Sequence, residues 1–270
     1  MTRTRRLGAC AGAAILVATV APAGASATPV ITMSGSTSVA PLAALLAKAY
    51  VKQYPGRVKF KLAQGGSDIG VADVAAGRVT IGNSSRDPKP TDPGGIFFNK
   101  IARDAICVVT NPANPVADLS QDTIQAIFSG KIRDWSEVPG SSGSGPIDLT
   151  VRTPASGTQD AFQKIFMGSA SVASSAAQKA SNGLIQQTVG SDKNAIGYVS
   201  LDFVKGTNPA SYQGVACNLR NAKSGEYGGV RNFWMVTRGR AKGIVQKFIF
   251  WAQNSPRAQK IAGTHWVPLK

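Results

Sequence analysis

"VITMSGSTSVAPLAALLAKAY", residues 30–50, changes its hydrophobic period part-way along. "VITMSG" reads as a β-strand. Leu42, Leu45, Leu46, Ala49 and Tyr50 then recur at helical spacing. Between them lies Gly-Ser-Thr-Ser, where Thr37 or Ser38 can cap the helix and Pro41 is tolerated in its first turn. A strand that enters a helix through a short Gly/Ser junction is the repeating unit of α/β architecture.

The unit recurs on both sides of the chain's midpoint. "VKFKLA" alternates as a strand, and "QGGSDIGVADVAAG" supplies a glycine turn, a Ser67 cap, a short helix and a Gly77 stop. "VTIGNSS" is a third strand. "DAICVVTNP" is an apolar strand that opens a second series. In that series "SQDTIQAIFSG" is a capped helix ending at Gly130, "IDLTVRT" a strand, "SGTQDAFQKIFMG" a helix and "AIGYVSL" a strand. "VRNFWMVTRG" is a long apolar strand. "AKGIVQKFIFWAQNSPRAQKIAG" is a helical tail with Ile244, Phe248 and Trp251 on one face. The alternation predicts an α/β fold with a largely parallel sheet. A length of 270 residues suits one large domain or two ordinary lobes.

The first 27 residues stand apart. "MTRTRR" is a basic segment, "LGACAGAAILVATVAPA" a short apolar run, and Ala25-Ser26-Ala27 a small-residue cleavage site. That order is a secretory leader, cut before Thr28. Cys10 precedes the apolar core and is read as part of the discarded leader. The full chain carries +16; without residues 1–27, which hold three Arg and no acid, it carries +13. The basic residues are scattered, with no basic helix, finger spacing or aromatic stacking motif, so nucleic acid is not the expected partner. A cationic surface suited to an anionic cell envelope accounts for them. Two cysteines remain, Cys107 and Cys217. An even pair in an exported chain favours a disulfide; the alternative is two buried thiols in separate strands.

Three strand-to-helix junctions share one composition: "GSTS" at 35–38, "QGGS" at 64–67 and "ASGT" at 155–158. Helix N-termini present unpaired N–H groups and a positive partial charge, glycine lets an anion approach the backbone, and hydroxyls add donors without charge. One such junction is an ordinary cap. Three of them with Arg152 at a strand end would form an oxyanion site if the fold gathers them in one crevice. Arg152 could instead pair with Asp160. "NSSR" at 83–86 could close the site through Ser84, Ser85 or Arg86, or be a polar turn.

At these residues the sequence resembles the phosphate-binding proteins of phosphate ABC transporters, the PstS-type family of type II periplasmic binding proteins. "GSTSVAPL", "GGSDIG", "IGNSSR", "NPANPVADLS", "IFSGKIRDW", "RTPASGT" and "AIGYV" follow the family's order over nearly all of the chain after the leader. The resemblance implies two α/β lobes joined by two antiparallel hinge strands, placed at "AICVVTN" and "VRNFWMV", around a central ligand cleft. It divides the chain into residues 28–105 with 230–270 as one lobe and 106–229 as the other. It places phosphate contacts on Ser36, Thr37, Ser38, Ser67, Ser85, Arg152, Ser156, Gly157 and Thr158. It implies an exported monomer, periplasmic or extracellular, that needs no cofactor and delivers inorganic phosphate to a transporter permease. Many family members carry aspartate where this chain has Ser85. That carboxylate accepts the proton of phosphate and repels sulfate, so selectivity here falls to serine or to the neighbouring Asp68 and Asp87.

Two other functions fit the same residues. An exported phosphatase needs a metal cluster or an activated nucleophile with a base. The one histidine, His265, is near the C-terminus, and no base lies beside Ser36 or Ser156 in sequence, so the expectation is a binding protein and not an enzyme. An oxyanion scavenger without a transporter is the third reading.

Overall fold

A computed structural model of the chain describes residues 1–2 and 27–270. The leader reading, Cys10 included, concerns residues outside those described. The first series runs β1 (Val30–Gly35), α1 (Ala40–Gln53), β2 (Lys59–Leu62), α2 (Ser67–Ala75) and β3 (Ile81–Ser84). β4 (Ile96–Thr110) follows, 15 residues long. The second series runs β5 (Asp118–Leu119), α3 (Gln121–Phe128), β6 (Asp148–Arg152), α4 (Gly157–Phe162), β7 (Ala177–Lys179), α5 (Asn182–Ser191) and β8 (Ala195–Ser200). Short strands β9 (Asn208–Pro209) and β10 (Ser211–Tyr212) and helix α6 (Leu219–Ser224) lead to β11 (Val230–Arg238), α7 (Gly243–Asn254) and α8 (Pro256–His265).

One curled sheet unites both series in the order β2-β1-β3-β11-β4-β8-β6-β7, with β9 paired to β4; β5 and β10 form a separate ribbon. The sheet is parallel at its two ends, β1 with β2 and β3, and β6 with β7 and β8. Its middle is antiparallel, because β4 and β11 run against each other from Val230↔Ala105 to Arg238↔Ile96, so "VRNFWMV" pairs with the first half of β4, and "AICVVTN", placed as the other hinge strand, pairs beyond Ala105 with β8. The parallel expectation therefore holds only within each series. β4 also starts at Ile96, well before the "DAICVVTNP" run at Asp104 that marks it in sequence, since "IFFNK" has neither alternation nor a continuous apolar face.

Two large hydrophobic cores lie along this sheet, beside a small cluster of Val71, Val74 and Val236. One gathers residues between Ile31 and Trp266, including Leu42, Ile81, Phe233 and Phe248. The other draws on residues from Ala105 to Tyr227, with Val267, around Phe128, Phe162, Phe166 and Tyr198. β4 and β11 are the strands that pass between them. Cys107 on β4 is bonded to Cys217, with Cα atoms 5.6 Å apart. The C-terminal helical tail is two helices, because Ser255 is extended ahead of Pro256, which lacks an N–H and opens α8.

Candidate functional site

The C-terminal ends of β1, β3 and β6 converge where the two cores meet, and the three Gly/Ser junctions meet there too. Ser36 follows β1, and its Oγ accepts from the N–H groups of Ser38 and Val39. Ser36 thus serves the start of α1, in place of the expected Thr37 or Ser38. Those two side chains are free to point across the crevice. Ser38 Oγ lies 3.0 Å from Thr158 Oγ1, and Thr37 Oγ1 accepts from Arg152 Nη2 at 3.2 Å.

The second junction differs in the same way. Gly66, not Ser67, is the cap residue of α2, with φ 110° and no side-chain cap. A Cβ at Gly66 would stand 2.8 Å from the Ala155 carbonyl oxygen, so the two series meet here backbone to backbone. Ser67 is turned inward, and its Oγ accepts from Ser85 N–H at 3.0 Å and contacts Ser85 Oγ at 3.3 Å. Ser36 Oγ donates to Ser85 Oγ at 2.8 Å. Of the three candidates in "NSSR", only Ser85 joins this cluster. Ser84 bonds the backbone of Arg86. Arg86 pairs with Asp68 and Asp92.

The third junction closes the group. Ser156 caps α4, accepting from Thr158 N–H at 3.1 Å and Gln159 N–H at 3.4 Å. A Cβ at Gly157 would stand 2.3 Å from Ser67 Oγ and 2.8 Å from Ser85 Oγ, so only glycine lets α4 approach the other series this closely. All nine expected residues belong to one buried cluster, with Ser38, Ser67 and Ser85 fully inaccessible. A surface cavity of about 790 Å³ lies elsewhere, lined by residues such as Ser129, Arg133 and Asp192.

Arg152 is 2% exposed, and its guanidinium touches only neutral groups: Thr37 Oγ1, Thr158 Oγ1 and the carbonyls of Lys179 and Ala180. Burial pulls it down to about 10, and the nearby Arg231 pushes the same way. Asp160 does not neutralise it. That carboxylate instead holds Lys89 and Lys164, each at 3.0 Å. Tyr198 receives the Arg152 N–H on its hydroxyl and donates to Gln159, and burial raises its phenol.

Five participants escape a reading based on junctions. Arg231 on β11 stands opposite Asp104 on β4, and its Nε and Nη2 both donate to Asp104 Oδ2, at 3.0 and 2.8 Å. Burial pushes the Asp104 carboxyl up and the Arg231 guanidinium down, and their mutual contact opposes both shifts. Ser200 donates to the other Asp104 oxygen. Arg231 then reaches Ser38 Oγ at 2.8 Å and Ser85 Oγ at 3.4 Å. Asn182, at the start of α5, donates to Thr37 Oγ1 and Ser38 Oγ. The available signal was a charge inside each of two apolar strands, "ARDAICVV" and "VRNFWMV". Asn182 and Tyr198 carried no such mark.

Taken together, the cluster gathers hydroxyl donors, two guanidiniums and one carboxylate, leaving one positive charge without a partner. A family model described as the PBP superfamily domain matches residues 21–255. The chain belongs to the PBP superfamily. Within that superfamily its relatives are of the PstS type. It is 28% identical over 224 residues to the phosphate-binding protein PstS of Bacillus subtilis, covering 81% of this chain and 73% of that protein. A phosphate ABC transporter substrate-binding protein from Clostridium perfringens, solved with bound phosphate, is 31% identical at a TM-score of 0.83. That match covers 89% of this chain and all of that one. An ABC-type phosphate transport receptor from Vibrio cholerae is 26% identical at a TM-score of 0.71, over 88% and 99% of the two chains. These PBP-superfamily neighbours have the two-lobed periplasmic-binding-protein fold, the architecture expected from the motifs.

Proposed function

We propose that this chain is an exported solute-binding protein that captures inorganic phosphate between its lobes and delivers it to a phosphate ABC transporter. The observation that carries the reading is Arg152, a buried cation whose partners are all neutral. A charge held out of water needs a counter-charge, and a tetrahedral oxyanion among Thr37, Thr158 and the α1 junction would supply one. We assign the ligand contacts to Ser36, Thr37, Ser38, Ser67, Ser85, Arg152, Ser156, Gly157 and Thr158. Ser156 acts through its helix cap, and Arg231, positioned by Asp104, joins them. The lobes are residues 28–105 with 230–270, and residues 106–229. The separate cores support this division, with Ala105 and Val267 packing across its edge.

The leader motif supports export, and no helix among the described residues is long and apolar enough to cross a membrane. Binding without hydrolysis is favoured by the roles of the hydroxyls. Ser36 and Ser156 are occupied as acceptors for helix N–H groups, and His265 pairs with Asp202 far along the chain. The protein acts as a monomer beside its permease.

Calorimetric titration of ligand-stripped protein with phosphate and with sulfate tests the proposal; failure of both anions to bind would overturn it. Gly157→Ala should weaken phosphate binding about tenfold or more, because the added methyl displaces Ser67 and Ser85 Oγ and overpacking costs about 1–3 kcal/mol. The same crowding, which also reaches the Arg86 backbone nitrogen at 2.9 Å, should lower folding stability by about 1–3 kcal/mol, so the affinity is read at a temperature where thermal unfolding shows the variant folded.

The same titration reads selectivity. Asp68 is committed to Arg86, and Asp87 accepts from Asn232 and Trp234, so neither neighbour replaces the aspartate that relatives carry at Ser85. Wild-type discrimination against sulfate should be modest. Ser85→Asp would put a carboxylate beside Arg231 and among hydroxyls, where it accepts a phosphate proton and repels an unprotonated anion. Sulfate binding should fall much more than phosphate binding, and phosphate binding should now decline as pH rises and that proton is lost. Strong sulfate exclusion by the wild-type protein would refute this account.

A further inference from the structure

The net charge of the chain after its leader lies on one lobe. Residues 28–105 and 230–270 hold 18 Lys and Arg against five Asp, whereas residues 106–229 hold nine against nine. Function in the crevice uses few of these cations. Four of those that remain lie at α1 and α7, which pack together through Tyr50, Phe248 and Trp251. Lys48 and Lys52 are exposed on α1, Arg57 just beyond it and Lys247 on α7. None of these four pairs with a carboxylate among the described residues; the Lys and Arg of this lobe that do are Arg78, Arg86, Lys89 and Arg231.

Apolar side chains are interleaved with these cations. Phe250 is 65% exposed, and Leu45, Val51 and Tyr54 are also exposed. Tyr54, Arg57, Lys247 and Phe250 line one groove of about 650 Å³ between α1 and α7. Exposed aromatic and aliphatic groups set among unpaired cations match the headgroup layer of an anionic bilayer, which takes rings at the interface and attracts Lys and Arg to its surface. A soluble polyanion would meet the charges but give the exposed rings nothing to enter. Helix α1 starts at the hydroxyl cluster and runs 14 residues away from it, about 20 Å, so this face can be covered while the crevice stays accessible.

We propose that the α1/α7 face of the basic lobe docks reversibly on an anionic phospholipid surface, holding the exported protein at the membrane. The proposal does not depend on which anion the crevice binds.

Co-sedimentation of the full exported chain with vesicles tests it. Vesicles of phosphatidylcholine mixed with phosphatidylglycerol should carry the protein down at low salt, and vesicles of phosphatidylcholine alone should not. Binding should be lost at about 1 M salt, where the Debye length is about 3 Å. Each surface cation contributes roughly a fivefold gain. The triple variant Lys48→Glu, Lys52→Glu, Lys247→Glu should therefore partition at least about a hundredfold less. Phe250→Ser should reduce binding severalfold. Lys131→Glu, Lys193→Glu and Lys205→Glu on the neutral lobe should leave it unchanged. Thermal unfolding of each variant, compared with wild type, verifies folding without reference to the crevice ligand. Absence of sedimentation with the anionic vesicles, or an equal loss from the neutral-lobe variant, would overturn the proposal. So would a Phe250→Ser variant that binds as wild type does, which would point to an anionic polymer held by charge alone.

Discussion

Arg152→Ala is expected to lower phosphate affinity by about a hundredfold or more. A charge-assisted hydrogen bond contributes about 1.5–3 kcal/mol, and removing the partner of a buried charge costs about 3–5 kcal/mol; each 1.4 kcal/mol is about a decade. Arg152→Lys should recover only part of this, since an ammonium cannot form the planar fork that reaches Thr37 and Thr158 together. Thermal unfolding gives a second readout. Phosphate at about one hundred times its Kd should stabilise the wild-type protein by about 2.7 kcal/mol, which for a chain of this size is about 5–10 °C in Tm. At the same phosphate concentration a hundredfold weaker Arg152→Ala should gain only about 0.4 kcal/mol, a shift of about 1 °C. The pH dependence follows from the guanidinium being pulled down to about 10. The group is a cation throughout the neutral range, so its contribution to affinity is fully present below about pH 10 and is lost as pH rises beyond it. An Ala variant that binds phosphate as wild type does would place the site elsewhere.

The second large effect concerns the bond between Cys107 and Cys217. Cys107 is fully buried on β4 in the second core, and Cys217 lies between β10 and α6, 110 residues away in sequence. A link closing a loop of about 100 residues removes enough unfolded-state entropy to stabilise a protein by about 4.7 kcal/mol. The double variant Cys107→Ala, Cys217→Ala should lose about 4–5 kcal/mol in denaturant unfolding, with Tm lower by about 10–20 °C. Its phosphate affinity should stay within about twofold of wild type, because neither cysteine touches the hydroxyl cluster. Thiol labelling of the denatured, unreduced wild-type protein should find no free cysteine. Two labelled thiols would remove the basis for the stability loss.

What could be read without coordinates was local. The period change across residues 30–50, the caps and the Gly stops depend on near neighbours, so most strands and helices of both series are legible from Val30 to Ser200, whereas β5, β7, α5 and the first half of β4 are not. The three Gly/Ser junctions are legible for the same reason, as are the residue types an oxyanion needs. Tertiary structure decided which hydroxyl does what. Ser36 serves the start of α1 and leaves Thr37 and Ser38 to the crevice, because the opposite series supplies Arg152, Thr158 and Asn182 as their partners. Ser67 gives up the cap to Gly66 because Ala155 presses against that backbone. Arg231 and Asp104 are 127 residues apart and meet only through the register of β11 on β4. Their charges were visible in two apolar strands, but their pairing was not. The same holds for Arg152. Its type and place at a strand end are sequence properties, whereas its isolation from every carboxylate follows from where Asp160 is drawn by Lys89 and Lys164. Local propensity depends on a few consecutive residues; a buried charge is defined by everything packed around it, and only the assembled fold supplies that.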